Sequence, residues 1–195
     1  MPIDHNFTPK GLKSNLGWYS RGRLPHFDGG PITQFFTFRL SDSVPQSLIE
    51  KWKEKLSDVQ FRKQVEKFLD AGYGSCYLKV PAVATLVANS LKYHDGKKYD
   101  LGAWVIMPNH THFTATPYEG VELSEIAHSI KSYTAHEANK IVSRTGRFWQ
   151  VEPFDRYIRN ERHYSSVVRY IENDPVKAGL CKTASDWKFS SAHRE

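Results

Sequence analysis

From residue 32 onward the chain alternates between stretches whose apolar positions repeat every two residues and stretches where they repeat every three to four. Ile32 to Leu40 is dense in β-branched and aromatic residues and reads as a first strand. Ser43 is placed to cap a run in which Leu48, Ile49, Trp52 and Leu56 recur at helical spacing. A second helical run carries Phe61, Val65, Phe68 and Leu69 and closes at Ala71-Gly72. A third follows Pro81, with Val83, Leu86, Val87 and Leu91, and ends at His94-Asp95-Gly96. Tyr99 to Ile106 and His110 to Thr116 are strand-like and read as a hairpin through Met107-Pro108-Asn109. Leu123 to Ile141 is helical, with Leu123, Ile126, Ile130, Tyr133 and Ile141 on one side, interrupted by Glu137. Phe148 to Ile158 is strand-prone, and Arg162 to Asp174 is a helix stopped by Pro175, with a basic, aromatic tail behind it. This order predicts an α+β sandwich, with helices against an antiparallel sheet. Residues 1–31, with Gly29-Gly30-Pro31, show neither repeat and read as an irregular, basic arm before a single domain over 32–195.

Composition narrows the class. The 195 residues are 39% hydrophobic and 13% aromatic, too apolar for a disordered chain. Mean hydropathy is −0.56, and no run approaches the roughly 18 apolar residues of a spanning helix. The start, Met1-Pro2-Ile3-Asp4-His5, lacks a basic-then-apolar leader, so a cytoplasmic protein without membrane contact is expected. Cys76 and Cys181 form no C-x-x-C pair and read as reduced thiols. The formal charge of +6 suits an acidic partner such as nucleic acid, though charge alone is weak evidence for one.

Candidate chemistry begins at Pro108-Asn109-His110-Thr111-His112-Phe113. Residues two apart on a strand share a face, so His110 and His112 project side by side, about 6.6 Å apart at a rise of about 3.3 Å per residue. Two imidazoles can converge on one ion at that spacing, although an isolated H-x-H triplet is more often incidental. On the helix before Pro175, Tyr164, Val167, Val168 and Ile171 form the apolar stripe, with Tyr170 on its flank and Asp174 one turn beyond. His163 falls on the same flank. Packing alone accounts for Tyr170 and Asp174, but a carboxylate near a helix C-terminus opposes the helix dipole, and a bound cation offsets that.

Two imidazoles, a carboxylate and a phenol permit three readings. A divalent ion could polarise a phosphate while the tyrosine attacks phosphorus, giving a covalent phosphotyrosine. Two histidines and a carboxylate also describe the facial triad of non-haem iron oxygenases. A DNA- or RNA-hairpin-binding module without catalysis would need only the basic and aromatic residues.

The segment Trp104-Val105-Ile106-Met107-Pro108-Asn109-His110-Thr111-His112 resembles the "WVIMPNHVH" segment of the REP-associated tyrosine transposases, a single-tyrosine HUH family related to the insertion-sequence-200-like transposases. The resemblance continues in order from about residue 18 to residue 192. It includes Gly22 to Asp28, Phe36 to Leu40, Ser132-Tyr133-Thr134-Ala135, Gly146-Arg147-Phe148-Trp149-Gln150, Phe154-Asp155-Arg156, Tyr170 to Leu180 (the "YIxxNPVKAGL" helix end) and Asp186 to Ser191. It implies a ferredoxin-like HUH-endonuclease sandwich with His110 and His112 as metal ligands on a central strand. It further implies Tyr170 as nucleophile and Asp174 as the residue completing the metal site. Mg²⁺ or Mn²⁺ as cofactor and single-stranded DNA beside hairpins of REP-like palindromes as partner follow from the same likeness. A monomer is expected, with a dimer exchanging tyrosine helices as the alternative. Thr111 replaces the family's bulky residue between the histidines, and Asp174 replaces its usual amide. The added charge is expected to tighten binding of a hard cation.

Tyr133 competes with Tyr170, since it also follows the histidines and has Glu137 one turn on. Its place on the apolar stripe predicts packing instead. Tyr157 lies in a strand-prone run, and Tyr164 has only Val168 one turn on. DNA contacts are expected from Lys13, Arg21 and Arg23 in the arm, from Lys131, and from Arg144, Arg147, Trp149, Arg156 and Arg159. Trp187 and Phe189 are expected to pack the tail onto the domain.

Overall fold

The computed structural model describes residues 17–20, 25–151 and 153–194. Residues 17–31 are not wholly irregular. Strands β1 (Gly17–Ser20) and β2 (Pro25–Asp28) pair antiparallel, and Phe27 is buried. The ribbon is tied to the domain by side chains. Gln34 Nε2 donates to the Phe27 carbonyl, the backbone N–H of Leu123 donates to Asp28, and His26 bonds Asp155.

The main sheet has four antiparallel strands in the order β4–β5–β3–β6, from β3 (Gln34–Arg39), β4 (Tyr99–Ile106), β5 (His110–Pro117) and β6 (Phe154–Tyr157). Helices α1 (Gln46–Lys55), α2 (Asp58–Asp70) and α3 (Pro81–His94) separate β3 from β4. Helix α4 (Leu123–Ile141) separates β5 from β6, and α5 (Glu161–Lys177) follows β6. Setting aside α1, α2 and α5, this is the βαββαβ order of a ferredoxin-like fold, with β5 and β3 inside the sheet. The α+β class predicted from the pattern is the one observed. No helix among the described residues is long and apolar enough to cross a membrane.

Strand alternation separates two cores. Phe36, Phe38, Trp104, Ile106 and Phe113 face α3 and α4. Phe35, Ala103, Val105 and Met107 face Val167 and Ile171 of α5. Helices α1 and α2 form a satellite cluster around Val44, Ile49 and Leu69. The tail closes on the domain as expected: the Trp187 indole donates to the Ile106 carbonyl at 3.0 Å and Phe189 packs against the larger core. Cys76 and Cys181 are free thiols.

Local chemistry moves several boundaries. Ser43 does not cap α1, because its hydroxyl donates back to the Leu40 carbonyl. Pro45 precedes the first turn without a side-chain cap. The run from Phe148 to Ile158 is strand only at β6. Phe148 and Trp149 turn into the core, and Pro153 has no N–H to offer a ladder. Pro175 does not stop α5. It lies within the last turn, where it removes only the donor to the Ile171 carbonyl, and the helix ends two residues later at a Schellman motif. There Leu180 N–H donates to the Pro175 carbonyl and Gly179 N–H to the Val176 carbonyl, with Gly179 at φ +70°. That left-handed position favours glycine.

Helix α2 begins with a capping box in which the Ser57 hydroxyl accepts from Gln60 N–H and Gln60 Oε1 accepts from Ser57 N–H. Ser57→Ala is expected to cost about 1 kcal/mol, read as a melting temperature lower by roughly 2–4 °C.

Candidate metal and nucleophile centre

Register brings the centre together. Thr37 of β3 lies opposite His112 of β5, Arg39 opposite His110, and Val105 of β4 flanks His112 on the other side. The face carrying Phe35, Thr37, His110 and His112 is the one covered by α5. Thr111 points the other way, as strand alternation requires, and its hydroxyl donates to the Val105 carbonyl.

Each histidine is oriented through Nδ1. Asn109 Nδ2 donates to the Tyr73 carbonyl at 2.9 Å, so Asn109 Oδ1 is free to accept from His110 Nδ1, 2.7 Å away. His110 Nε2 therefore carries its lone pair toward α5. Thr37 Oγ1 sits 2.8 Å from His112 Nδ1 and plays the same part. Burial holds both imidazoles neutral, with pKa values pushed down to about 3. Such second partners of a ligating histidine typically tune metal affinity 10–100-fold. Thr37→Val, which keeps the shape, is expected to weaken Mn²⁺ affinity by about tenfold in a titration while leaving the fold intact.

Helix α5 supplies the other two groups. Val167 and Ile171 anchor it on the sheet, and Tyr164 and Val168 are half-buried on the same side. Asp174 lies deeper than a helix-edge position suggests, at 1% exposure. Its Oδ2 is 3.2 Å from His110 Nε2 and 3.8 Å from His112 Nε2, and its Oδ1 has no hydrogen-bond partner among the described residues. The Tyr170 hydroxyl lies 3.3 Å from His112 Nε2. Phe35 packs beside both rings, its centroid 5.2 Å from His112 and 6.1 Å from Tyr170.

Three acceptor atoms thus converge with no proton to share, since both nitrogens present lone pairs to a carboxylate. Ligands about 2.1 Å from a six-coordinate cation stand roughly 3 Å apart when adjacent, so the spacing here fits one divalent ion. The buried His110, His112 and Asp174 set can hold a metal. Burial pushes the Asp174 carboxyl up, which a bound cation would reverse. The Tyr170 phenol is also held well above its usual range, first by burial and then by Asp174 and Glu66. Lys177 sits over the Tyr170 ring, 5.7 Å from its centroid, and pairs with Asp70 at 2.7 Å.

The remaining candidates separate by place. His163, expected beside Tyr170, is not among the grouped ligands; it accepts from Arg156 Nη2 at 2.6 Å. Tyr133 is 57% exposed rather than packed. It stands on α4, behind the sheet from the histidines, so it cannot reach them. Trp149, expected to stack on bases, is instead a core residue at 3% exposure whose indole N–H donates to Thr134 Oγ1. Lys131 spans from α4 to the carbonyls of Gln150 and Val151, both at 2.6 Å. Arg144 lies over the Tyr77 ring and donates to the Arg147 carbonyl, Arg147 is exposed, and Arg159 lies over Tyr157. Arg156 borders the same cavity as His112 and Tyr170. Lys13, Arg21 and Arg23 lie outside the described residues. Asn109, Thr37, Glu66 and Lys177 were not anticipated. Asn109 was readable from its place beside His110, whereas the others depend on strand register and helix docking.

Residues 84–174 match the family described as transposase IS200 like. That segment holds His110, His112, Tyr170 and Asp174, so the likeness seen in the sequence stands on the stretch that builds the centre. The chain is 33% identical over 106 residues to a REP-associated tyrosine transposase of Escherichia coli (strain K12). That alignment covers 54% of this chain and 61% of the relative's length. The fold is similar to a solved structure described as a REP-associated tyrosine transposase bound to a REP hairpin. The TM-score is 0.55 at 24% identity, over 89% of this chain and 81% of that one.

Proposed function

We propose that this chain is a metal-dependent single-stranded DNA endonuclease and strand transferase, acting beside palindromic hairpins through a 5′-phosphotyrosine intermediate. The observation that carries the reading is the meeting of a phenol with a two-histidine, one-carboxylate acceptor set, Tyr170 Oη lying 3.3 Å from His112 Nε2. His110, His112 and Asp174 would hold Mg²⁺ or Mn²⁺, hard cations suited to the carboxylate oxygen. When bound, the ion supplies Lewis-acid polarisation of the scissile phosphate and stabilises the departing oxygen.

The protein's own groups do the rest. Tyr170 Oη forms a bond to phosphorus as the phosphorus–3′-oxygen bond breaks, and the 3′-oxygen leaves as a hydroxyl after taking up a proton. Glu66, which lines the same cavity as Tyr170 and raises the phenol's pKa, is the carboxylate assigned to receive the proton that Tyr170 gives up. A second 3′-hydroxyl then attacks the phosphotyrosine and restores Tyr170. Each exchange trades one phosphodiester for another, so no nucleotide triphosphate is consumed. Tyr170 reaches histidines of its own chain, which supports a monomer acting alone.

Incubation with an end-labelled DNA hairpin and Mn²⁺ tests this reading. A protein–DNA adduct surviving denaturation, absent when EDTA is added, is expected. Intact DNA with only reversible binding would reduce the protein to a hairpin-binding module.

A further inference from the structure

The centre opens into a cavity, lined at one end by His112, Tyr170 and Glu66, whose far end the proposed chemistry leaves without a role. It has a volume of about 360 Å³ and is walled by the sheet face, by α5, and by α1 and α2 of the satellite cluster. Its size is near the lower end for small-ligand sites, suited to one nucleotide rather than to a duplex. Phe35, whose ring packs against both His112 and Tyr170, lines it together with those two residues of the centre.

The lining combines aromatic surface with basic groups. Phe35, Phe61 and Phe154 present aromatic surface, while Arg39, Arg62 and Arg156 bring three guanidinium groups to the same wall as the Glu66 carboxylate. The Arg62 guanidinium is 5.5 Å from the Phe154 ring centroid, and its Nε donates to the Asp58 carbonyl. The Arg156 guanidinium is held below its usual range, first by burial and then by Arg62 and Arg159. Arg39 is pushed down to about 10 by burial, its guanidinium 3.4 Å from the Ser43 hydroxyl. Gathering like charges along a partly apolar wall costs stability unless an anion enters. Aromatic faces with arginines beside them form the combination that holds an unstacked base and its phosphate.

We propose that this cavity takes the single unpaired nucleotide adjoining the phosphate presented to Tyr170, with its base against Phe61 and Phe154 and its outer phosphate on Arg62 and Arg156. The inference rests on the function proposed above and gives it a place where sequence is read. Helices α1 and α2 lie outside residues 84–174, so this wall is supplied separately from the segment that carries the chemistry.

An abasic scan tests it. Hairpin oligonucleotides lacking one base at a time through the single-stranded flank are bound to the Tyr170→Phe protein, followed by fluorescence anisotropy with Mn²⁺ present. One position is expected to lose affinity about five- to hundredfold, against little change at its neighbours. In Phe61→Ala and in Arg62→Ala that position-specific loss should disappear, and Arg62→Ala should also lower the salt-dependence slope by about one. Arg62 is half-exposed on α2, so its variant tests the idea even if Phe61→Ala melts early. Even losses at all positions, or an unchanged position-specific loss in both variants, overturn the proposal. Adduct formation by the unaltered protein on intact DNA is measured in parallel. Its absence would overturn the proposed chemistry, while the binding scan still reports on the cavity.

Discussion

Tyr170→Phe is expected to abolish the denaturation-resistant adduct and to slow strand cleavage by roughly a thousandfold or more, while hairpin binding stays within about threefold. The substitution removes one oxygen and leaves the ring against Phe35 and beneath Lys177, so the packing of α5 survives. The oxygen is also the atom within reach of His112 and Glu66. The phenol is held neutral by burial and by neighbouring carboxylates, so it is a poor nucleophile until a cation offsets them. Tyr133→Phe, on the far side of the sheet, should leave adduct yield unchanged. Residual adduct in Tyr170→Phe, lost only when Tyr133 is also changed, would move the nucleophile to the other helix.

Mn²⁺ at about one hundred times its dissociation constant is expected to stabilise the fold by about 2.7 kcal/mol, raising the melting temperature by roughly 5–11 °C. The rise should vanish when His110 and His112 are both replaced by alanine. Asp174→Asn separates structure from ligation because its two effects have opposite signs. Without metal, the carboxylate is buried against two nitrogen lone pairs with one oxygen unpartnered among the described residues, and an amide could donate where the ionised carboxylate cannot. The metal-free variant should therefore melt no lower than the unaltered protein, and about 1 kcal/mol of added stability is the expected gain. With Mn²⁺, losing the charged oxygen should weaken affinity by about tenfold, which halves the metal-induced rise at the same concentration. Equal Mn²⁺ affinity in the two proteins would remove Asp174 from the ligand set.

Legibility followed the range of the forces involved. The histidine pair was readable because strand alternation is a local rule, and residues 123–141 were bounded correctly because a long apolar stripe leaves little choice. The end of α5 was misread at Pro175, since the Schellman closure depends on Gly179 four residues on. Tyr133 was misread because its stripe is wider than the surface that α4 buries, leaving Tyr133 and Ile141 exposed. Trp149 looked like a base-stacking residue among arginines, yet nothing local reveals that Thr134 awaits its N–H across the core. Of the centre itself, the spacing of Tyr170 and Asp174 on one helix was visible. That the helix would lie over His110 and His112, and that Thr37 would brace one of those rings, depended on register between distant strands.

In the proposed function, the nucleophile Tyr170 and the acidic ligand Asp174 ride on one rod, one turn apart, and both imidazoles ride on another. Any rocking of α5 away from the sheet would withdraw the phenol and dismantle the cation's cage in the same motion. On that assignment ion occupancy and nucleophile delivery are latched together, so loss of the metal would also loosen the grip that keeps the Tyr170 oxygen in line.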